Sequence, residues 1–144
     1  MMTVDMSNKL RRSLIKHESY RKFPYTDSVG KLSIGIGYNI SDRGMTDEWI
    51  NTQYDQDVKF FYDQLSSSFT WFSSLNIDRQ IVLIDLAFNL GWKHFLEFKE
   101  MLGALSIGDF KQASFQMLQS KWAEQVKSRA AELAQGMLTG EYSV

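Results

Sequence analysis

Two acidic side chains and one hydroxyl lie near the start of the sequence: Glu18, Asp27 and Ser33. Cleavage of a glycosidic bond needs one carboxylic acid that protonates the leaving oxygen and one carboxylate that activates water or stabilises positive charge on the sugar. A hydroxyl beside the carboxylate can hold the attacking water in place. The residue types therefore fit glycoside hydrolysis, with Glu18 as general acid and with Asp27 and Ser33 handling water.

The elements predicted around these residues give each of them a different setting. An amphipathic helix ends at Glu18, where the negative end of the helix dipole and a neighbouring apolar face favour the protonated acid. A polar turn holds Asp27, which we expect to stay charged. Alternating apolar residues over 31–38 predict a short, half-buried strand that carries Ser33. The two acids of a glycosidase require different surroundings, and the predicted elements would provide them.

A purely structural interpretation of the same residues is also open. Glu18 can form a salt bridge with Arg21 or Lys22. Asp27 can be an ordinary turn aspartate, and Ser33 can be a surface residue of its strand. Spacing alone does not decide between the two interpretations, because acids and serines at such separations occur in many proteins.

Composition excludes several other classes of protein. The chain has 144 residues, of which 44% are hydrophobic and 14% aromatic, enough for the core of one domain. Its 16 basic residues are balanced by 17 acidic ones, so it lacks the strong positive charge typical of nucleic-acid binders. Cysteine is absent, and neither His17 nor His94 lies in a pattern that resembles a metal site. We therefore expect no nucleic-acid partner, no metal and no cofactor.

The distribution of apolar residues bears on localisation. Charged residues interrupt the N-terminal segment before any apolar block that could serve as a signal peptide. No later apolar run approaches the ~20 residues of a membrane-spanning helix. We therefore expect a soluble protein without a signal peptide and without stable membrane insertion.

The rest of the chain is predicted to be mainly helical. A long helix of about 46–66 follows the strand region, and serine and glycine residues then separate shorter helices. These shorter helices are predicted at 77–90, 95–102, 109–118, around Trp122, and at 129–138. The predicted class is α+β, mostly α, with a small β-hairpin lobe and a larger helical lobe joined by the long helix, and with a cleft between them.

The chain resembles the phage-type lysozymes of glycoside hydrolase family 24, the group of the T-even phage lysozymes. Six segments carry the resemblance in order: HES, YTDSVGKLSIGIGY, MTDEWINTQYDQDV, DLAFNLG, SKWAEQVKSRAAEL and LTGEY. The resemblance implies one lysozyme-like domain over 1–144. Its implied parts are a small lobe of about 18–45, an interlobe helix of about 46–66, and a helical lobe of about 67–144 that includes the N-terminal helix.

The resemblance also implies roles for particular residues. It implies that Glu18 is the general acid and that Asp27 and Ser33 are catalytic. It implies an ion pair between Arg129 and Glu18. The residues implied to bind substrate are Gly37, Tyr38, Asn89, Trp122 and Gln125.

Three features depart from the family pattern. Ser33 stands where threonine is usual, so the hydroxyl is kept but the methyl group that stiffens the side chain is lost. Tyr38 stands where histidine is common. The loop 39–44 is shorter than in the T-even protein.

The activity that the resemblance implies is that of an endolysin. Such a muramidase hydrolyses the β-1,4 bond between N-acetylmuramic acid and N-acetylglucosamine in bacterial peptidoglycan and causes lysis of the host cell. The implied partners are peptidoglycan glycan strands and a holin-type membrane lesion that gives access to them. We expect a monomer, made in the host cytoplasm, that acts on the cell wall in the periplasm after release.

Two other functions are open. A lytic transglycosylase would use a single acid and form an anhydro sugar, and the presence of Asp27 argues against it. A non-enzymatic peptidoglycan-binding lysis regulator is favoured only by the departures at Ser33 and Tyr38.

Overall fold

A computed structural model of the chain describes residues 1–144, which divide into two compact units, 1–51 and 52–144. We call them unit 1 and unit 2. The elements of unit 1 are helix α1 (Val4–Glu18), strands β1 (Arg21–Thr26), β2 (Leu32–Gly35) and β3 (Tyr38–Asn39), and helix α2 (Ile40–Arg43). The long helix α3 (Asp47–Ser68) begins in unit 1 and ends in unit 2.

The three strands of unit 1 form an antiparallel sheet in the order β1-β2-β3. Ser33 is paired with Tyr25 of β1 on one side and with Asn39 of β3 on the other. Pro24 lies within β1. The strand tolerates it because β1 is at the edge of the sheet and its register shifts between Arg21 and Tyr25.

Burial in unit 1 differs from what the alternation over 31–38 predicted. Ser33, with 4% of its surface exposed, is the single buried residue of the unit, whereas Leu32 is 43% exposed. Directly opposed residues of neighbouring strands share a face, so Tyr25 and Asn39 cover the serine from both sides. The apolar face predicted for α1 is also exposed, since no α1 residue is buried.

The segment after β3 is a second difference. A polar loop was predicted at 39–44, and the structure has the end of β3 followed by α2. The side chain of Asn39 caps this short helix by accepting a hydrogen bond from the Asp42 amide at 3.1 Å. An asparagine between a strand and a helix can serve both elements, and the sequence pattern alone did not reveal this.

Unit 2 contains the end of α3, a 3₁₀ turn at Phe72–Ser74 and six further helices. They are α4 (Ile77–Leu90), α5 (Trp92–Phe95), α6 (Lys99–Ser106), α7 (Phe110–Leu118), α8 (Lys121–Val126) and α9 (Ser128–Thr139). The side chains of Asn76, Asp109 and Ser120 cap the starts of α4, α7 and α8. One helix prediction is wrong: a single helix was predicted at 95–102, whereas a turn at 96–98 separates α5 from α6.

The core of unit 2 lies where α4, α7 and α9 pack together. Leu83 and Leu86 of α4 and Leu133 of α9 are completely buried. The close approach of α9 to α4 occurs at Gly136, where an added Cβ would lie 3.0 Å from a methyl group of Val82. The predicted α+β class, mostly α, is confirmed by these helices and the three-stranded sheet. No helix is both long enough and apolar enough to span a membrane.

Candidate active site

Glu18 occupies the last position of α1, as predicted. The next residue, Ser19, has a φ of 74° and donates its backbone N–H to the Ile15 carbonyl at 2.9 Å, so the chain changes direction directly after the glutamate. A non-glycine residue in this conformation is uncommon and is found where surrounding structure imposes it. Glu18 is exposed, so the partial burial that we expected from an apolar face finds no support within unit 1.

The turn between β2 and β3 lies against the Glu18 side chain. Gly37 in this turn has a φ of +63°, and an added Cβ would lie 2.6 Å from Glu18 Oε2 and 2.8 Å from Glu18 Cβ. Any other residue would therefore displace the carboxyl group as well as strain the backbone. Tyr25 approaches the same helix end, since its hydroxyl donates to the Glu18 carbonyl at 3.4 Å. Glu18 is thus flanked by the sheet of its own unit.

Asp27 is held by its own turn through one carboxylate oxygen. Its Oδ1 accepts hydrogen bonds from the backbone N–H of Val29 at 3.0 Å and of Lys31 at 2.8 Å. The Asp27 amide in turn donates to the Lys31 carbonyl at 2.8 Å, and the Gly30 amide donates to the Asp27 carbonyl at 3.1 Å. The second oxygen, Oδ2, has no protein donor and is free to accept from a water molecule.

Ser33 lies in the middle strand between Tyr25 and Asn39. No protein group hydrogen-bonds its hydroxyl, yet the hydroxyl is not an enclosed unsatisfied group, so solvent reaches it. The surface-residue interpretation of Ser33 is wrong, because only 4% of the residue is exposed. A hydroxyl that solvent reaches, on a residue that is otherwise buried, has the properties needed to hold a water molecule.

Tyr38 has partners within unit 1 for each part of its side chain. Its hydroxyl donates to the Gly44 carbonyl at 2.6 Å, its ring centroid is 4.8 Å from that of Trp49, and the Arg43 guanidinium lies 4.3 Å from the ring centre. These contacts hold the short helix α2 beside α3. A substrate-binding role for Tyr38 stays a prediction.

Three of the residues implied to bind substrate lie together in unit 2. The Trp122 indole Nε1 donates to Asn89 Oδ1 at 2.6 Å, and both residues line a groove of about 910 Å³ that Gln125 also lines. Trp122 is buried and Gln125 is exposed. The groove therefore presents side-chain amides, which suit the acetamido groups of a glycan, while the buried Trp122 ring supports Asn89 from behind through their hydrogen bond.

Arg129 has a carboxylate partner that the sequence reasoning did not name. Its Nε and Nη2 donate to Asp85 Oδ1 at 2.9 and 2.7 Å, and the two side chains are 40% and 30% exposed. The implied pair with Glu18 joins residues of different units and stays a prediction. A signal for Asp85 was present: it lies one helical turn before Asn89 on α4, which is otherwise largely apolar.

One ion pair in unit 1 was also missed. Lys31 Nζ lies 2.9 Å from Asp42 Oδ1, and this hydrogen bond raises the pKa of Lys31 and lowers that of Asp42. The charge of Asp27 adds to the rise in the Lys31 pKa. Lys31 therefore connects the turn that contains Asp27 with helix α2.

These features define a class of protein, and comparison with known proteins gives the family. A helix that ends in an acid, an aspartate in a tight turn and a hydroxyl in a short antiparallel sheet precede a helical unit, as in lysozyme-like proteins. The phage lysozyme family matches residues 15–138, so the chain belongs to the phage lysozyme family. Membership supports a muramidase type of function.

A curated relative comes from Enterobacteria phage T4. In an alignment 166 positions long, the chain is 26% identical to the pre-baseplate central spike protein Gp5 of that phage. The match covers 95% of the chain but 28% of the relative, so the chain spans little more than a quarter of that protein's length.

Proposed function

We propose that this protein is an endolysin that hydrolyses the β-1,4 bond between N-acetylmuramic acid and N-acetylglucosamine in peptidoglycan and so lyses the host cell. The observation that carries the proposal is the hydrogen bonding of Asp27: one carboxylate oxygen accepts from two backbone N–H groups, and the other oxygen is free. A general base that orients water needs such a fixed carboxylate with one available oxygen. Family membership supplies the substrate class.

In the proposed mechanism Glu18 transfers its proton to the glycosidic oxygen as the bond to the anomeric carbon breaks. A water molecule held by Asp27 and Ser33 attacks that carbon from the opposite face and loses a proton to Asp27. The product sugar then has inverted configuration. The contact between Gly37 and Glu18 supports this assignment, because it limits where the acid's carboxyl group can lie.

The remaining site residues contribute to binding in this proposal. Asn89, Trp122 and Gln125 would contact the substrate along the groove of unit 2. Gly37 and Tyr38 would contact it from unit 1. Arg129, which is already bound to Asp85, would offer its remaining N–H groups to Glu18.

Cell lysis is the proposed biological setting. A protein made in the cytoplasm as a monomer would reach the periplasmic cell wall through a holin-type membrane lesion. A second setting is favoured by the similarity to a spike protein of phage T4, which is that the chain acts as a wall-degrading part of a phage particle. Mass spectrometry of purified particles and of the soluble fraction from infected cells separates the two settings.

The enzymatic proposal is tested by adding the purified protein to Gram-negative cells whose outer membrane has been permeabilised. We expect the turbidity of the suspension to fall, and mass spectrometry of the released fragments to show hydrated reducing ends. Anhydro ends would instead identify a lytic transglycosylase. Binding to peptidoglycan without any loss of turbidity would favour a non-enzymatic lysis regulator.

A further inference from the structure

The turn that holds Asp27 is tied to α2 at two places. We infer that Ser41 and Asp42 of α2 are positioning residues for the Asp27 carboxylate. The inference rests on the proposed function, in which Asp27 orients the attacking water. It concerns residues outside all the segments that carry the family resemblance.

The first connection replaces a hydrogen bond between strands. The ladder between β2 and β3 ends at the pair Ser33 and Asn39, because the chain turns into α2 after Asn39. The next backbone N–H on β2 belongs to Leu32, and it donates to Ser41 Oγ at 2.8 Å. Ser41 thus satisfies a strand N–H that would otherwise lack a partner at this edge. It fixes the backbone one residue after the Lys31 N–H that holds Asp27 Oδ1.

The second connection is the ion pair between Lys31 and Asp42. Lys31 donates its backbone N–H to Asp27 Oδ1 at 2.8 Å and its Nζ to Asp42 Oδ1 at 2.9 Å. Asn39 immobilises Asp42, because its Nδ2 donates to Asp42 Oδ2 at 3.0 Å. Both ends of Lys31 are therefore anchored, one on Asp27 and one on α2.

These contacts are poorly suited to a purely stabilising role. Lys31 and Asp42 retain 45% and 53% of their side-chain exposure, and exposed ion pairs of this type add little to the free energy of unfolding. A helix of four residues has no stability of its own and depends on such contacts for its position. What the contacts do determine is the direction of the Lys31 N–H, and hence the orientation of Asp27.

The experiment compares Ser41→Ala and Asp42→Asn with the wild type in initial rates of peptidoglycan hydrolysis at several substrate concentrations. We expect kcat to fall by roughly tenfold, since misplacement of a catalytic group by 1 Å can cost ~10²-fold. KM and the melting temperature should change little. Ser41→Thr retains the hydroxyl and should restore kcat.

Lys59→Met is the matched control. It breaks an exposed ion pair between Lys59 and Asp63 on α3 that has no connection to Asp27. Its kcat should equal that of the wild type. A common loss in this variant and in Asp42→Asn would show that removing any surface ion pair has the same effect, and would overturn the inference.

Three further results separate failure of this inference from failure of the proposed function. If the wild type and Asp27→Asn are both inactive, or equally active, the role of Asp27 is wrong and both proposals fall. If Asp27→Asn alone is inactive while Ser41→Ala and Asp42→Asn have wild-type kcat, only the positioning role is overturned. If Ser41→Ala and Asp42→Asn greatly lower the melting temperature but leave kcat of the folded fraction unchanged, the contacts only stabilise the fold, and the positioning role is again overturned.

Discussion

The two units of the molecule hold their important residues in different ways. In unit 1 the candidate acids and the hydroxyl are positioned by a helix end, a tight turn and a three-stranded sheet, and Ser33 is the single buried residue. In unit 2 the helices are held in place by apolar packing, with Leu83, Leu86 and Leu133 completely buried. Directional hydrogen bonds fix the orientation of a carboxylate, whereas apolar burial supplies most of the stability.

This difference suggests that activity and stability can be changed separately. Substitutions of exposed polar residues change stability by small amounts unless they remove a cap, a network or a strained glycine. Substitutions in a close-packed core are costly wherever they lie. Variants of unit 1 should therefore alter the rate, and core variants of unit 2 should alter the melting temperature.

Glu18→Gln is expected to have the largest effect on the rate. The amide keeps the size of the side chain but cannot donate a proton to the leaving oxygen, and general acid catalysis contributes ~10²–10⁴-fold. Lysis of permeabilised cells should fall by at least that factor while the melting temperature stays near that of the wild type. Glu48→Gln, at an exposed acid on α3, is the control and should lyse normally. Rapid lysis by the Glu18→Gln protein would remove Glu18 from the mechanism.

Leu83→Ala should have the largest effect on stability. Truncation of a fully buried leucine leaves a cavity and costs ~2–5 kcal/mol of unfolding free energy. Denaturant titration of the variant should show this loss, and activity per folded molecule at low temperature should be close to normal. Ile81→Ala on the same helix is the control, since Ile81 is 42% exposed and should cost much less. Equal losses for the two variants would contradict the picture of a core centred on α4.

The same contrast explains which features the sequence revealed. The end of α1 at Glu18 and the bounds of α4 were predicted correctly, because apolar periodicity and the residues that interrupt it are local signals. The pair of Arg129 with Asp85 was not predicted, since its partners lie 44 residues apart and meet only after α4 and α9 have packed. Alternation over 31–38 predicted a single strand, whereas the structure has β2, a turn and β3 there, and the alternation did not give the buried side.

Short elements were the other source of error. Helix α2 has four residues, too few for a periodic pattern, and its existence depends on the cap from Asn39 and on contacts of Ser41 and Asp42. The candidate acids and Ser33 could be named from the chain, but the groups that hold them could not. For Asp27 those groups are backbone N–H donors, which every residue except proline carries, so they leave no trace in residue type.

Gly37→Ala tests whether the sheet of unit 1 positions the acid. The new Cβ would lie 2.6 Å from Glu18 Oε2, and alanine at a φ of +63° is strained. We expect the rate to fall by up to ~10²-fold through displacement of the carboxyl group. Gly108→Ala in unit 2 is the matched control: Gly108 also has a positive φ, but an added Cβ there has no neighbour within 4 Å. If the two variants lose the same activity, backbone strain and not contact with Glu18 is the cause.

Substitutions of Ser33 distinguish a water-positioning role of its hydroxyl from a packing role. Ser33→Ala removes the hydroxyl and should lower kcat by about tenfold, whereas Ser33→Thr keeps it in a stiffer side chain and should preserve or raise kcat. Because Ser33 is buried, the melting temperature must be measured beside the rate. Equal rates for the wild type and both variants would eliminate the water-positioning role and leave Glu18 and Asp27 to carry the chemistry.

The smallest expected effect is a change in the pH dependence of stability, and it belongs to unit 2. Burial raises the pKa of Tyr142 above its ordinary value of 10.0, and the charge of Asp85 raises it further. A raised pKa in the folded state means that the phenol contributes stability that is fully present below pH 10.0 and is lost as the pH rises through the folded-state value. Tyr142→Phe keeps the ring and the backbone N–H that donates to Asp78 at 2.9 Å, but it cannot ionise. Between about pH 9 and about pH 11 the melting temperature of the wild type should therefore fall more than that of the variant, with titration of the lysines common to both. Parallel curves would show that the phenol is as well solvated in the folded protein as in the unfolded chain.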